Sequence, residues 1–285
     1  MSVFDEPKVD CHNHVLDPAR FAYAADVAYC PAGQEIGGRD QHAAVMAAYG
    51  ARHALLVGPN SGYGSDNRCL LDALAHSAGR FKGIAVLAHD TRRDALLRLK
   101  AAGVVGVAFN PTIYGVAHFA DAAPLLRRLA DLDMFVQFQV EGQQMAALAP
   151  LLLASGARLL IDHCGRPLPA AGLQQPGFQA LLGLAKSGRA AVKLSGYQKF
   201  SAGPLPGVNG KPYADAKPYF DALVDAFTLD ACLWGSDWPF LKASERLDIG
   251  PLLHLLQDWL PDAADRRRLF WDTPRRLFGF ADVCA

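Results

Sequence analysis

The sequence predicts an α/β chain of the (β/α)8 TIM-barrel class, and three observations carry that expectation. Eight short runs rich in Val, Ile, Leu and Phe recur along its 285 residues, and segments with apolar residues three and four apart separate them. No run is followed by a glycine-rich phosphate loop, which counts against the alternative, an open doubly wound sheet. Nearly continuous apolar strands read as a parallel sheet covered by helices, and eight such units can close into a barrel that a chain of this length forms as one domain. Residues 1–285 are therefore expected to be a single domain.

The elements follow in order. KVDCHNHV (8–15) sets Asp10, His12 and His14 at alternate positions, so a strand turns them to one face and Cys11 and Asn13 to the other. A long connection, 16–40, carries Pro18, Pro31 and three glycines. HALLVGPN (53–60) is followed by Ser61 and then by Leu70, Leu71 and Leu74 at helical spacing. FKGIAVLA (81–88) leads to His89, Asp90 and the helical Leu96, Leu97 and Leu99. VVGVAFNP (104–111) closes on Asn110, and Leu125, Leu126 and Leu129 mark the next helix. MFVQFQVE (134–141) supplies Gln137, Gln139 and Glu141, and ARLLIDHC (157–164) supplies Asp162 and His163. AAVKLSGY (190–197) brings Lys193, Ser195 and Tyr197, then opens into a second long connection, 198–218, with prolines at 204, 206, 212 and 218. CLWGSDWP (232–239) delivers Ser236 and Asp237, and 262–280 reads as a last helix broken around Pro274. Loops as long as these two more often cover or line a pocket than stand idle.

With 28 basic and 28 acidic residues the chain has no electrostatic case for nucleic acid or an anionic membrane surface. No apolar run approaches a membrane span, and MSVFDEPK lacks the pattern of a signal peptide, so a cytoplasmic protein is expected. The six cysteines, Cys11, Cys30, Cys69, Cys164, Cys232 and Cys284, show no paired spacing and read as free thiols of a reducing compartment. Nothing in the sequence specifies an oligomeric state.

The functional signal is positional. Active sites of such barrels lie at the C-terminal ends of the strands, and that is where the unusual polar residues fall. Each has a bland reading alone: Asp237 as a turn-former, His163 as a satisfied core histidine, Lys193 and Glu141 as an internal ion pair, Trp234 and Trp238 as packing. Jointly, two histidines on the first strand, one on the sixth and an aspartate on the eighth would meet at one mouth.

Asp10-x-His12-x-His14, IDHCGRP (161–167) and GSDWPF (235–240) resemble the amidohydrolase superfamily over nearly the whole chain. With SGYGSDN (61–67) and VAFNP, the chain is similar to the branch of 2-pyrone-4,6-dicarboxylate lactonase and related sugar-lactone hydrolases. The resemblance implies a hydrolase opening a small-molecule lactone. Many superfamily members hold divalent metal with the first-strand histidines, the eighth-strand aspartate and a histidine on strand five or six, with a bridging lysine or glutamate near strand four in binuclear ones. Here the fourth strand ends in Ala108-Phe109-Asn110 and FVQFQVE has no histidine. The lactonase branch dispenses with metal, so no cofactor is expected. Asp237 would then be the general base, and His12, His14 and His163 would polarise the carbonyl in place of a Lewis acid.

The alternatives are a zinc-dependent hydrolase or non-oxidative decarboxylase, with His12, His14 and Asp237 as ligands and His163 as acid, and a barrel that only binds its ligand. Ser61, Asn110, Tyr114, Tyr197 and Lys199 are the substrate-binding candidates, with Tyr23 and Tyr29 folding in from the first long loop. The dicarboxylate lactonases hold two carboxylates with several arginines. This chain has Ala108 before the Phe-Asn, no arginine in TIYGV (112–116), and Lys199 where an arginine is expected. Lysine is a point charge, not a bidentate fork, so a lactone with one carboxylate or none is expected, such as a sugar-acid or muconolactone-like compound. Hydrolysis and lactone isomerisation both suit such a site.

Overall fold

The computed structural model describes residues 2–203 and 212–282. All eight predicted strands form: β1 (Lys8–Asn13), β2 (Ala51–Val57), β3 (Phe81–Val86), β4 (Val104–Phe109), β5 (Phe135–Phe138), β6 (Arg158–Ile161), β7 (Ala190–Leu194) and β8 (Cys232–Trp234). They belong to one eight-stranded sheet whose order follows the chain, with helices between successive strands. The pairs β1–β2, β2–β3, β4–β5, β5–β6 and β6–β7 are parallel. β2 begins two residues before the apolar run, because Ala51 pairs with Lys8 although Arg52 is exposed.

The chain divides into two compact units. One comprises Met1–Ala88, Asp94–Val105 and Trp234–Ala285; the other comprises His89–Arg93 and Gly106–Leu233. In the first, Val9, Cys11, Leu55, Leu56 and Ile84 are fully buried. In the second, Val136, Phe138, Leu159, Leu160, Ile161 and Val192 are. Each such Val, Leu, Ile or Phe contributes about 1.5–3 kcal/mol on burial. Both faces of these strands are covered, which is why they read as apolar runs rather than alternating ones.

The start of β1 carries a structural charge cluster. Arg266 grips Glu6 with Nε and Nη2, at 3.1 and 2.6 Å, and the Lys8 ammonium donates to Glu6 O at 2.6 Å. Burial lowers the Lys8 pKa to about 8 against the opposing pull of Glu6 and Asp5. Charged groups at this end of the strands hold the fold together, whereas the opposite end is where chemistry is expected.

The last helical stretch differs in detail from its expectation. Ala263–Arg267 is α-helical, Arg268–Asp272 widens to a π-turn, and Pro274 opens the final helix Thr273–Phe278 rather than ending one. Proline has no N–H to return to the preceding turn, so the widening precedes it. No disulfide joins the described cysteines Cys11, Cys30, Cys69, Cys164 and Cys232. Cys284, Pro204 and Pro206 lie outside the described residues.

Candidate active site

In the first unit, β1 and the turn after β8 are laced together backbone to backbone. Asp237 N donates to His12 O at 2.8 Å, and His14 N to Trp238 O at 2.9 Å. Asp10 adds a side-chain clamp: its Oδ1 accepts from His12 N at 3.1 Å and from Ser236 N at 3.0 Å. Complete burial raises the Asp10 pKa, and hydrogen bonds from Ser236, Asn13 and His12 oppose the rise. Asp10 is thus a fixing group for the two histidine- and aspartate-bearing segments. Gly235 is obligatory in this lacing, since a Cβ there would sit 2.7 Å from His12 N and Cβ.

The result is a buried cluster. His12 Nε2 lies 3.7 Å from Asp237 Oδ1, too long for a hydrogen bond and suited to a group held between them. The His12 and His14 rings meet edge to face at 5.2 Å. His14 Nδ1 is 2.8 Å from Val57 O. A carbonyl only accepts, so Nδ1 carries the proton, and neutral His14 presents a lone pair at Nε2. Asp237 is held at φ +64°, in the left-handed region that few non-glycine residues adopt.

In the second unit, His163 stands at the end of β6 in a turn where His163, Cys164 and Arg166 all have positive φ, of 51°, 56° and 43°. Consecutive left-handed residues store strain, a feature of chain segments that aim a functional side chain. His163 Nδ1 pairs with Ser195 Oγ at 3.1 Å. Gly196, at φ +65°, leaves room for the imidazole: its missing Cβ would lie 2.3 Å from His163 Nδ1. The end of β7 therefore cradles His163 on one side and bonds it on the other. Burial pushes the neighbouring Cys164 thiol up to about 12, which keeps it protonated and inert.

The expected Lys193–Glu141 pair is corrected. Lys193 Nζ lies 3.0 Å from Asp162 Oδ1 and donates to Gln137 Oε1 at 2.7 Å, while Gln137 Nε2 donates to Asp162 Oδ2 at 2.8 Å. Glu141 instead pairs with Arg166 at 3.0 Å. All three members of the Lys193 ring are buried, and each satisfies another, the condition under which an internal charge pair is tolerated.

The binding candidates fall in different settings. Ser61 is half-buried in the short turn Asn60–Tyr63 after β2. Asn110 is buried at the end of β4, its Oδ1 accepting from Thr112 Oγ1 at 2.6 Å. Tyr114 is 47% exposed and stacks on His118. Lys199 is half-buried. Tyr197 is buried, and its hydroxyl donates to Leu194 O at 3.1 Å. Burial raises its pKa well above the phenol range, so it acts as neutral packing. Tyr23 donates to Pro31 O at 2.9 Å, and Tyr29 donates to Glu35, so both hydroxyls bond inside the first long loop.

His42 was not foreseen. This buried histidine on the helix Arg39–Ala48 donates from Nε2 to Asn13 Oδ1 at 2.8 Å, and Asn13 Nδ2 donates to Asp10 O at 3.0 Å. Its ring packs against Phe81 and Trp238. Burial, with a smaller contribution from His14, lowers its pKa to about 3. The fold keeps His42 neutral down to that pH, whereas an unfolded chain protonates it near 6.5. Stability is then complete above pH 6.5 and falls by about 1.4 kcal/mol per unit as the pH drops toward 3. Urea unfolding of wild type and His42→Gln between pH 7 and 4 measures this: the variant is expected to show a shallower slope by about one proton, and parallel slopes would contradict it.

The amidohydrolase family profile matches residues 9–280. The chain is 32% identical over 278 residues to the 4-sulfomuconolactone hydrolase of Hydrogenophaga intermedia, covering 95% of this chain and 88% of that one. It is 28% identical to the 2-pyrone-4,6-dicarboxylate hydrolase of Comamonas testosteroni over 95% and 89% of the two chains. Among solved structures it resembles a probable 2-pyrone-4,6-dicarboxylic acid hydrolase of Acinetobacter baumannii with citric acid bound. The TM-score is 0.84 and the identity 26%, over 96% of this chain and 99% of that one. The alternating strands and helices of this chain are those of that (β/α)8 fold.

Proposed function

The chain belongs to the amidohydrolase family, and from that premise we propose that this enzyme opens a small lactone by general-base hydrolysis, with Asp237 as the base. The observation that carries the reading is the fixed His12–Asp237 pair, two buried groups 3.7 Å apart on backbone that is bonded on both sides. His163, which follows β6, is the further imidazole of the proposed reaction. Asp237 takes a proton from water as the water attacks the lactone carbonyl. His163 and His12 donate to the oxygen that becomes negative, and the proton then passes from Asp237 to the ring oxygen as the C–O bond breaks. With Ser195 Oγ as the donor to His163 Nδ1, the imidazole is the Nε2–H tautomer that this step requires. His14, whose Nδ1–H is held by Val57 O, packs edge to face on the His12 ring and orients it.

Among the described residues, His12, Asp237 and His163 are the donor set chemically suited to a divalent ion. Such an ion would polarise the carbonyl that the histidines otherwise polarise. We favour hydrolysis without one because β5 offers Gln137 in place of an imidazole, and Gln137 is committed to Lys193 and Asp162. An ester carbonyl also needs less electrophilic help than an amide. For substrate we propose a muconolactone-type compound with a single strong anionic centre, supported by the relative at 32% identity and by a lysine, Lys199, where an arginine is expected. Proton release on a panel of muconolactones, sugar-acid lactones and the pyrone dicarboxylate tests the class. Purified protein assayed with and without chelator, alongside elemental analysis, tests the metal. Stoichiometric zinc together with chelator-abolished turnover would overturn the metal-free reading.

A further inference from the structure

One carboxylate fastens the first long connection to the loop that follows Asp237. Glu35 accepts from the Tyr29 hydroxyl, from Ala32 N at 3.2 Å and from Lys242 N at 2.6 Å. The Lys242 ammonium lies over the Tyr29 ring, 4.8 Å from its centroid. The hydrogen bond to Glu35 and the burial of the ring push the Tyr29 phenol up to about 12. Gly37 supports the same join. It exchanges backbone hydrogen bonds with Leu16 and packs under the Trp238 indole, where a Cβ would lie 2.1 Å from the ring.

The loop so held is strained along its length. Asp237, Phe240 and Lys242 take φ values of 64°, 66° and 60°, and Phe240 N donates back to Asp237 O at 2.7 Å. On its upstream side Asp237 is anchored to β1 through His12 O and Asp10. On its downstream side the chain leaves this left-handed turn at the amide of Lys242, which Glu35 holds. Backbone in a disfavoured region keeps its conformation only when its surroundings over-determine it.

We propose that Glu35 is a positioning residue for Asp237: by gripping the Lys242 amide it fixes the turn that aims the Asp237 carboxylate. The assignment rests on Asp237 being the base of the proposed reaction. Glu35 acts through backbone and touches no substrate. It is half-exposed and borders a cleft of about 820 Å³ lined also by Tyr29, Trp238, Phe240 and Lys242, so shortening it opens no hole in the core.

Glu35→Ala and Glu35→Gln in the full chain test the assignment, because glutamine retains an acceptor for the Lys242 amide and alanine does not. Glu35→Ala is expected to lower kcat by about tenfold or more with KM within about twofold, since misplacing a catalytic group acts on the transition state. Glu35→Gln is expected to restore most of kcat. Hydrogen exchange in the peptide spanning 240–243 should quicken in the alanine variant and stay near wild type in the glutamine one. Unchanged exchange in Glu35→Ala overturns the clasp, and so does a loss confined to KM. A wild type that opens no lactone while exchange still responds overturns the proposed function and the catalytic role of Glu35 with it, and leaves the fastening of the loop as a structural contact alone.

Discussion

Asp237→Asn is expected to keep its fold and lose roughly 10³-fold in kcat, the scale on which a positioned general base contributes. The substitution is unusually clean here. Asparagine has nearly the volume of aspartate and is among the few residues that tolerate positive φ, so the φ of +64° at this position is no obstacle. The backbone bond from residue 237 to His12 O does not depend on the side chain. What disappears is the ability to take a proton from water, and a loss of about 10³ corresponds to about 4 kcal/mol of transition-state stabilisation. Circular dichroism and thermal unfolding should match wild type while turnover collapses. Near-normal turnover in a folded Asp237→Asn would require another base and would remove the central assignment.

The second large effect is expected at a residue with no side chain. Gly196→Ala places a methyl group 2.3 Å from His163 Nδ1, on backbone at φ +65° where an L-residue is already strained. The imidazole must move, and the loss should approach that of His163→Asn, about 10²–10³-fold in kcat for one displaced oxyanion donor. Because both changes act through the same ring, their effects should not add. The double variant is expected to be no slower than His163→Asn alone, a signature of shared action that a double-mutant cycle reads directly. Full additivity would mean that Gly196 serves something other than the His163 position.

Much of the architecture was legible because burial on both faces writes itself into composition. β5 and β6 are four residues each, yet FVQF and RLLI stand out as apolar punctuation between helical repeats. The histidine and aspartate positions are legible for a related reason: polar residues follow closely where the apolar runs give out, so His12, His163 and Asp237 can be placed at or just past strand ends from sequence alone. The supporting residues were not. Gly196, Gly235 and Glu35 matter through close approach of segments far apart in the chain, and no spacing encodes a missing Cβ facing a particular ring. The partner of Lys193 is hidden from the sequence for the same reason. Glu141 and Asp162 both follow a strand neighbouring β7 or one removed from it, and only the register Ile161↔Val192 shows which carboxylate lies level with Lys193. His42 gives no sequence signal, because a single histidine on a helix shows its role only through the packing of its ring against Phe81 and Trp238.

The two turns that present His163 and Asp237 also say where this protein resists improvement. Left-handed backbone at a residue other than glycine costs about 1–2 kcal/mol, and a lineage selected for heat tolerance alone would exchange such residues for glycine one by one. At Ala78 or Asp133, which share that backbone, nothing catalytic would be forfeited. At His163 and Asp237 the same exchange would remove the side chains to which the proposed mechanism gives carbonyl polarisation and proton transfer, so under that mechanism durability and turnover pull in opposite directions at those positions. An engineer seeking a sturdier enzyme should treat these two turns as fixed ground and look for gains elsewhere.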